Sequence, residues 1–107
     1  MNCNEYRDWG YYRDHYINAE TFRIKQINLK PDYKVKINSI NHENLLLLKG
    51  SVVIVQKNKA TQLQANDYFT SNEKFTIVNN NNVEAVLIKV QTGPLSDSID
   101  IIDYDEL

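Results

Sequence analysis

The chain has 107 residues, 42% of them hydrophobic and 24% charged, with a formal net charge of −2, which is the composition of one globular domain. Its charges are scattered, and no apolar run approaches the roughly 18 residues that a membrane span needs, so we expect no nucleic-acid partner and no membrane partner. The polar N-terminus lacks the apolar segment of a signal peptide, and the single cysteine, Cys3, cannot form an internal disulfide. These features favour a reducing, cytoplasmic location.

Strand patterns recur along the chain, and no segment carries a helical repeat. Residues 1–21, rich in tyrosine, predict an extended arm that packs across a barrel or onto a second subunit. Residues 22–94 carry the barrel strands, and residues 95–107 form an acidic tail, expected as an edge strand or a short helix. Within Phe22–Leu29 the apolar alternation slips near Gln26–Ile27, which predicts a bulge. The other predicted strands are Tyr33–Ile37, Leu45–Leu48, Val52–Gln56, Thr61–Gln64, Asp67–Thr70, Phe75–Val78 and Val83–Gln91.

Short strands of this kind, with turns every ~8–12 residues, predict an all-β fold, either a β-sandwich or a jelly-roll barrel. The segment Lys34–Gly50 has the layout of a pocket in such a barrel: a strand, a polar turn, a second strand and a glycine turn. A metal would need imidazoles at these positions, but the chain offers Lys36, Asn38 and Asn44, and later Phe75. The layout therefore suits a metal pocket, whereas the residue types do not.

Four segments, in order, resemble one family. They are Arg7–Tyr11 (like R-P-W-G), Phe22–Leu29 with the turn Lys30–Asp32 (like f-x-v-K-r-i-x-v-x-P-G, with Lys25 at its lysine), Glu43–Gly50 (like E-H-W-x-V-v-x-G) and Ile88–Gly93 (like I-E-V-Q-x-G). Together they resemble the cupin domain of type II phosphomannose isomerases, often fused behind a mannose-1-phosphate guanylyltransferase. The resemblance implies a cupin-type double-stranded β-helix, a single domain over residues 1–107, and a role in carbohydrate metabolism, including polysaccharide biosynthesis.

The resemblance also implies where a metal site would lie. In that family a Gln-x-His pair, a glutamate and a later histidine surround a divalent metal. By position the pair falls on Lys36 and Asn38, the glutamate on Glu43, the histidine after it on Asn44, and the later histidine on Phe75. Zinc needs three or four good ligands, and Glu43 is the only one left, so we expect no metal and no other cofactor. We hypothesise that the Lys36 ammonium replaces the metal by pairing with Glu43.

Three functions follow from these residues. We favour a metal-free cupin that binds a sugar or sugar-phosphate-like ligand, with a pocket lined by Lys36, Asn38, Glu43, Asn44 and Phe75. The first alternative is an active mannose-6-phosphate isomerase, in which Glu43 or His42 is the base and Lys36 polarises the carbonyl. The second is a structural dimerisation module, in which the arm around Trp9 is exchanged between two subunits. A homodimer is expected in either binding or structural role.

Overall fold

The computed structural model describes residues 3–18, 22–38, 42–92 and 101–107, and this part of the chain contains strands and no helix. No helix long and apolar enough to cross a membrane therefore occurs among the described residues. The eleven strands are β1 (Glu5–Arg7), β2 (Gly10–Asn18), β3 (Phe22–Leu29), β4 (Tyr33–Ile37), β5 (His42–Lys49), β6 (Ser51–Gln56), β7 (Lys59–Gln64), β8 (Tyr68–Ser71), β9 (Phe75–Asn79), β10 (Ala85–Thr92) and β11 (Ile101–Glu106).

The strands form two antiparallel sheets. The larger sheet has the order β1-β2-β3-β10-β5-β8, and the smaller sheet has the order β11-β4-β9-β6-β7. From β3 to β6 and again from β7 to β11, the chain crosses to the other sheet at each successive strand. This alternation wraps the chain around one core, and the all-β jelly roll expected from the sequence is confirmed.

The core lies between the two sheets because the strands alternate buried and less buried side chains. In β10, every second residue is buried, namely Ala85, Leu87, Lys89 and Gln91. The apolar members of this pattern build the hydrophobic core with partners from both sheets, among them Leu45, Leu47, Ile54 and Ile77. The polar members, Lys89 and Gln91, follow the same period of two, so that one end of the interior is polar.

The N-terminal arm is part of the larger sheet. Strands β1 and β2 pair with each other, and β2 pairs with β3 of the same chain. Trp9 between them is 2% exposed and belongs to the core. Gly10 makes this turn possible, since its φ is +144° and an added Cβ would lie 1.9 Å from the Asn28 carbonyl oxygen. The arm thus packs across its own barrel, and packing onto a second subunit stays a prediction.

The tail forms an edge strand. Strand β11 pairs with β4 at the edge of the smaller sheet, so the short helix considered as an alternative does not occur in residues 101–107. Residues 95–100 of the predicted tail lie outside the described residues. Because β1 to β3 and β11 lie towards the edges of facing sheets, the two ends of the described chain face each other across one side of the barrel.

The bulge predicted near Gln26–Ile27 is wrong. Strand β3 pairs with β10 without a break from Phe22 to Leu29, and the irregularity lies on the neighbouring strand β2, between Asp14 and Tyr16. The apolar alternation slips in the sequence because Lys25, a charged residue, occupies an inward position and is only 4% exposed. An inward-facing lysine was therefore misread as a change of strand face.

Candidate functional site

A buried ion pair occupies the polar end of the barrel interior. Lys89 Nζ donates a hydrogen bond to Glu43 Oε1 at 2.6 Å, and the two side chains are 0% and 1% exposed. The pair joins neighbouring strands, β10 and β5, on which Lys89 lies opposite Leu45 and Gln91 lies opposite Glu43. Two charges can be kept out of water here because each one neutralises the other.

Lys89, not Lys36, is the cation beside Glu43, so the hypothesis of a Lys36–Glu43 pair is wrong. Lys36 is exposed, since it lies between the buried residues Val35 and Ile37 and the strand period sends it to the outer face. The sequence did contain a signal for Lys89. In the segment IKVQTG, Lys89 stands where the resembling family has a glutamate, and it shares the inward parity of Leu87.

The structure brings together only some of the residues predicted to line the pocket. Phe75 and Glu43 both face the interior, and Phe75 packs edge-to-face on Phe69 with ring centroids 5.3 Å apart. Asn38 is half-buried just after β4. Asn44 alternates with the buried Glu43 and Leu45, so it lies on the outer face of the larger sheet.

His42 also lies on that outer face. It is exposed, and its Nε2 is 2.7 Å from the hydroxyl oxygen of Thr70 on the adjacent strand β8. The strand period places His42 and Glu43 on opposite faces of the sheet. Consequently the three candidates for catalysis, Glu43, Lys36 and His42, do not converge on one point.

The donor set does not fit the divalent metal that the family resemblance implies. Glu43 is engaged by the Lys89 ammonium, and Phe75 offers no donor atom. Among the described residues, no group of three or more His, Cys, Asp or Glu side chains is placed to hold a metal ion. A zinc or manganese ion at Glu43 would also have to share this position with a buried positive charge.

A second lysine extends the polar end of the interior. Lys25 lies directly opposite Lys89 in the pairing of β3 with β10 and is 4% exposed. Its Nζ is 4.0 Å from Asp14 Oδ1 and 4.5 Å from the centre of the Tyr12 ring. The carboxylates of Asp14 and Glu43 thus compensate two adjacent lysines, and the Tyr12 ring adds a cation–π contact.

A cavity of about 380 Å³ opens beside Lys25, between the β1–β2 arm and β11. Trp9 and Tyr12 line it with nearly parallel rings, 15° apart in plane and 6.4 Å between centroids. The side chains that matter for its chemistry are Arg7, Trp9, Tyr12, Lys25, Asp103 and Tyr104. We call this space the arm cavity.

Tyr104 connects the two sides of the arm cavity. Its hydroxyl donates a hydrogen bond to Asp8 Oδ2 at 3.2 Å, and this bond raises the pKa of Tyr104 above 10.0, with the negative charge of Asp8 as the next cause. The phenol therefore stays neutral at physiological pH and fastens β11 to the arm.

A second cavity, of about 590 Å³, lies at the ends of the smaller sheet's strands. Two of the predicted ligand-binding residues, Lys36 and Phe75, line it, together with Gln56, Lys57, Glu73 and Lys74. Its lysines are exposed, so water and salt screen their charges.

Two antiparallel sheets wound into a jelly roll are the architecture of cupins, among other proteins. The family model described as "Mannose-6-phosphate isomerase C-terminal" matches residues 1–106, and the chain belongs to this family. The family resemblance inferred from the sequence motifs is thereby confirmed. No curated protein sequence shows a significant match to the chain.

Solved structures with a similar fold include cupin and double-stranded β-helix domains. The cupin domain of Cnp3 from Schizosaccharomyces pombe superposes with a TM-score of 0.71 at 10% identity, covering 78% of this chain and 60% of that one. A double-stranded β-helix protein from Klebsiella pneumoniae gives 0.70 at 11% identity, covering 85% and 82%. Ectoine synthase from P. lautus gives 0.64 at 15% identity, covering 79% and 66%. At these identities the likeness shows the fold alone.

Proposed function

We propose that this protein is a metal-free cupin that binds a small sugar or sugar-phosphate-like ligand and does not carry out metal-dependent isomerisation. The observation that carries the proposal is the buried Lys89–Glu43 ion pair, 2.6 Å long, because Glu43 is the residue that the family resemblance assigns to the metal site. Lys89 supplies the positive charge that a metal would supply, but an ammonium bound to a carboxylate leaves no open coordination position for a substrate.

The arrangement of Glu43, Lys89 and His42 does not support isomerase chemistry. Moving a proton between two carbons of a sugar needs a base beside those carbons and an electrophile on the carbonyl oxygen. Glu43 is the best placed carboxylate, yet it is 1% exposed and hydrogen-bonded to Lys89. His42 faces outward, where it contacts Thr70. The described side chains thus offer no separate base and electrophile at one point.

Ligand binding is better served, because the arm cavity combines aromatic rings with charged and hydroxyl groups. Small-molecule sites are mostly apolar with a few placed polar groups, and the arm cavity has this composition. A homodimer and a cytoplasmic location, both expected from the sequence, remain predictions that accompany this function.

A thermal-shift screen with zinc, manganese, mannose 6-phosphate and mannose, followed by an isomerase assay, tests the proposal. A ligand at 100 times its dissociation constant stabilises the fold by about 2.7 kcal/mol, so binding raises the melting temperature visibly. We expect a shift with the phosphosugar, no shift with either metal, and no turnover. Metal binding together with turnover that Glu43→Gln abolishes would establish the isomerase instead. No shift with any compound would favour the structural module.

A further inference from the structure

We propose that the outer face of the larger sheet is the surface through which two copies of this chain form a homodimer. The inference goes beyond the proposed function, because it assigns the expected dimer to one place on the molecule and depends on no ligand. The surface consists of the outward side chains of β10, β5 and β8, and we call it the dimer face. Its apolar members are Leu46, Leu48, Tyr68, Val86, Ile88 and Val90.

The sequences of β5 and β10 are those of strands covered on both faces. Leu45–Leu48 is apolar at four successive positions, and every outward position of β10 before Thr92 is Val or Ile. Strands with one wet face alternate apolar and polar residues, whereas strands buried on both faces are continuously apolar. In the single chain, however, Leu46 and Leu48 are 39% and 46% exposed. The pattern therefore predicts a cover that the described part of one copy does not provide.

The smaller sheet has the pattern of a face that stays in water. The outward positions of β4 are Lys34 and Lys36, and those of β7 include Gln62 and Gln64. Apolar residues on this face, such as Val55 on β6, therefore have polar neighbours on the other strands of the sheet. The contrast singles out the larger sheet as the one whose outer face is built for contact.

The strand register makes the dimer face continuous. Ile88 lies directly opposite Leu46, and Leu46 lies directly opposite Tyr68. Side chains in such opposite positions are ~4.5–5.5 Å apart at their Cβ atoms, so the three strands share one apolar row. The row ends at Tyr68, which is 75% exposed on the edge strand β8. Tyrosine is enriched in the buried centres of protein interfaces, and here it has the most surface to lose on association.

Polar groups surround the apolar row. On the β3 side, the Gln26 side-chain amide donates a hydrogen bond to Asn28 Oδ1 at 2.8 Å. On the β8 side, the Thr70 hydroxyl lies 2.7 Å from His42 Nε2. An apolar centre inside a polar margin is the usual anatomy of an interface between proteins.

The distribution of charge favours a second copy as the occupant. The outward positions of β5, β8 and β10 carry no acidic residue, and the basic side chains His42 and Lys49 lie at the two ends of β5. A two-fold interface brings the same surface against itself, so an uncharged centre avoids contacts between like charges. An acidic or basic partner would find no opposite charge at the centre of the dimer face.

The larger sheet is also large enough for a stable dimer. Its six strands, at ~4.8 Å spacing and ~3.4 Å per residue, give it a flat area of about 650 Å². Protruding side chains make the accessible area larger than the flat area, so the sheet approaches the ~800 Å² per partner that standard interfaces bury. Two such faces can stack ~10 Å apart with interdigitated side chains, as sheets do inside proteins.

Sedimentation velocity of the full chain tests the inference. Over about 1–100 μM the unaltered protein should shift from monomer to dimer, because association follows mass action. Leu46→Glu should raise the dimer dissociation constant at least about tenfold, since it brings two carboxylates into the apolar contact. The matched control is Val55→Glu, because Val55 is 37% exposed against 39% for Leu46 and lies on the outer face of the other sheet. This control should dimerise as the unaltered protein does.

Tyr68→Ser keeps the test decisive if Leu46→Glu fails to fold. Tyr68 is largely exposed on an edge strand, so Tyr68→Ser should keep its circular dichroism spectrum and still weaken the dimer at least about tenfold. A chain that is monomeric at every concentration overturns the inference. It is also overturned by a dimer that Tyr68→Ser leaves intact, which would move the contact to the arm, or by a dimer that Val55→Glu weakens as much as Leu46→Glu does.

Discussion

Replacing Lys89 with methionine removes the ammonium that lies 2.6 Å from Glu43 Oε1 and keeps most of the side-chain volume. The side chains of Lys89 and Glu43 are 0% and 1% exposed, so bulk water does not reach the carboxylate to replace the lost partner. Breaking a buried pair on one side costs about 3–5 kcal/mol. A domain of this size has about 5–15 kcal/mol of stability, so Lys89→Met should lower its melting temperature by more than ~12 °C.

The double variant Lys89→Met/Glu43→Leu distinguishes a lost ion pair from a damaged core. Replacing both charges with apolar side chains should restore stability to near that of the unaltered protein, or exceed it by ~1–4 kcal/mol. Lys49→Met, an exposed lysine on β5, is the matched control and should change stability by less than about 0.5 kcal/mol. Urea unfolding followed by Trp9 fluorescence and circular dichroism measures all four proteins. A Lys89→Met cost below about 1 kcal/mol, or a double variant less stable than Lys89→Met, would refute the reasoning.

Three further predictions concern residues that fasten the fold. Trp9→Ala should cost about 3–5 kcal/mol of unfolding free energy, because Trp9 is a 2% exposed core residue. A variant that keeps normal stability and shows only dimer dissociation in the ultracentrifuge would contradict this placement. Asn79→Ala should cost at least ~2 kcal/mol in urea unfolding, because the side-chain amide nitrogen of Asn79 donates to two backbone carbonyls at 2.9 Å. The control Asn80→Ala changes an exposed residue and should cost little. Equal losses of stability in the two variants would be inconsistent with this role. Tyr104 has a folded pKa raised by its hydrogen bond to Asp8, so the bond stabilises the fold below pH 10.0 and is lost as the pH rises through the raised value. Melting curves from pH 8 to 12 should therefore show a steeper loss for the unaltered protein than for Tyr104→Phe, and parallel curves would count against the bond.

Strand patterns were readable wherever apolar and polar residues alternate. Tyr33–Ile37 was predicted with its exact bounds, and its two buried residues explain why it could be. The sequence predicts a polar connection over residues 38–43, yet β5 already begins at His42, because Glu43 is a charged residue on the inward face. The error at Lys25 has the same origin. A charged residue that faces the interior breaks the alternation of apolar and polar residues from which strands are predicted.

The sequence predicts that Glu43 faces the interior, and the structure places it there, but the sequence does not predict its partner. A Lys36–Glu43 pair requires Lys36 to face inward, and its buried neighbours Val35 and Ile37 exclude that. The inward position of Lys89 follows from the period of two in the sequence, but its pairing with Glu43 depends on β10 lying next to β5. The arm cavity joins Arg7 to Tyr104 across almost the whole sequence, and no local pattern reports such a contact.

The contact between the arm and β11 also affects the order in which the molecule folds during synthesis. Asp8 and Tyr104 are 96 positions apart, so their hydrogen bond closes one of the longest loops that this chain can form. Contacts of high sequence separation form late and slowly during folding. A nascent chain would therefore possess a nearly complete barrel before it possessed the cavity. Removing β11 would remove one wall of the cavity, whereas removing the arm would also take Trp9 out of the core.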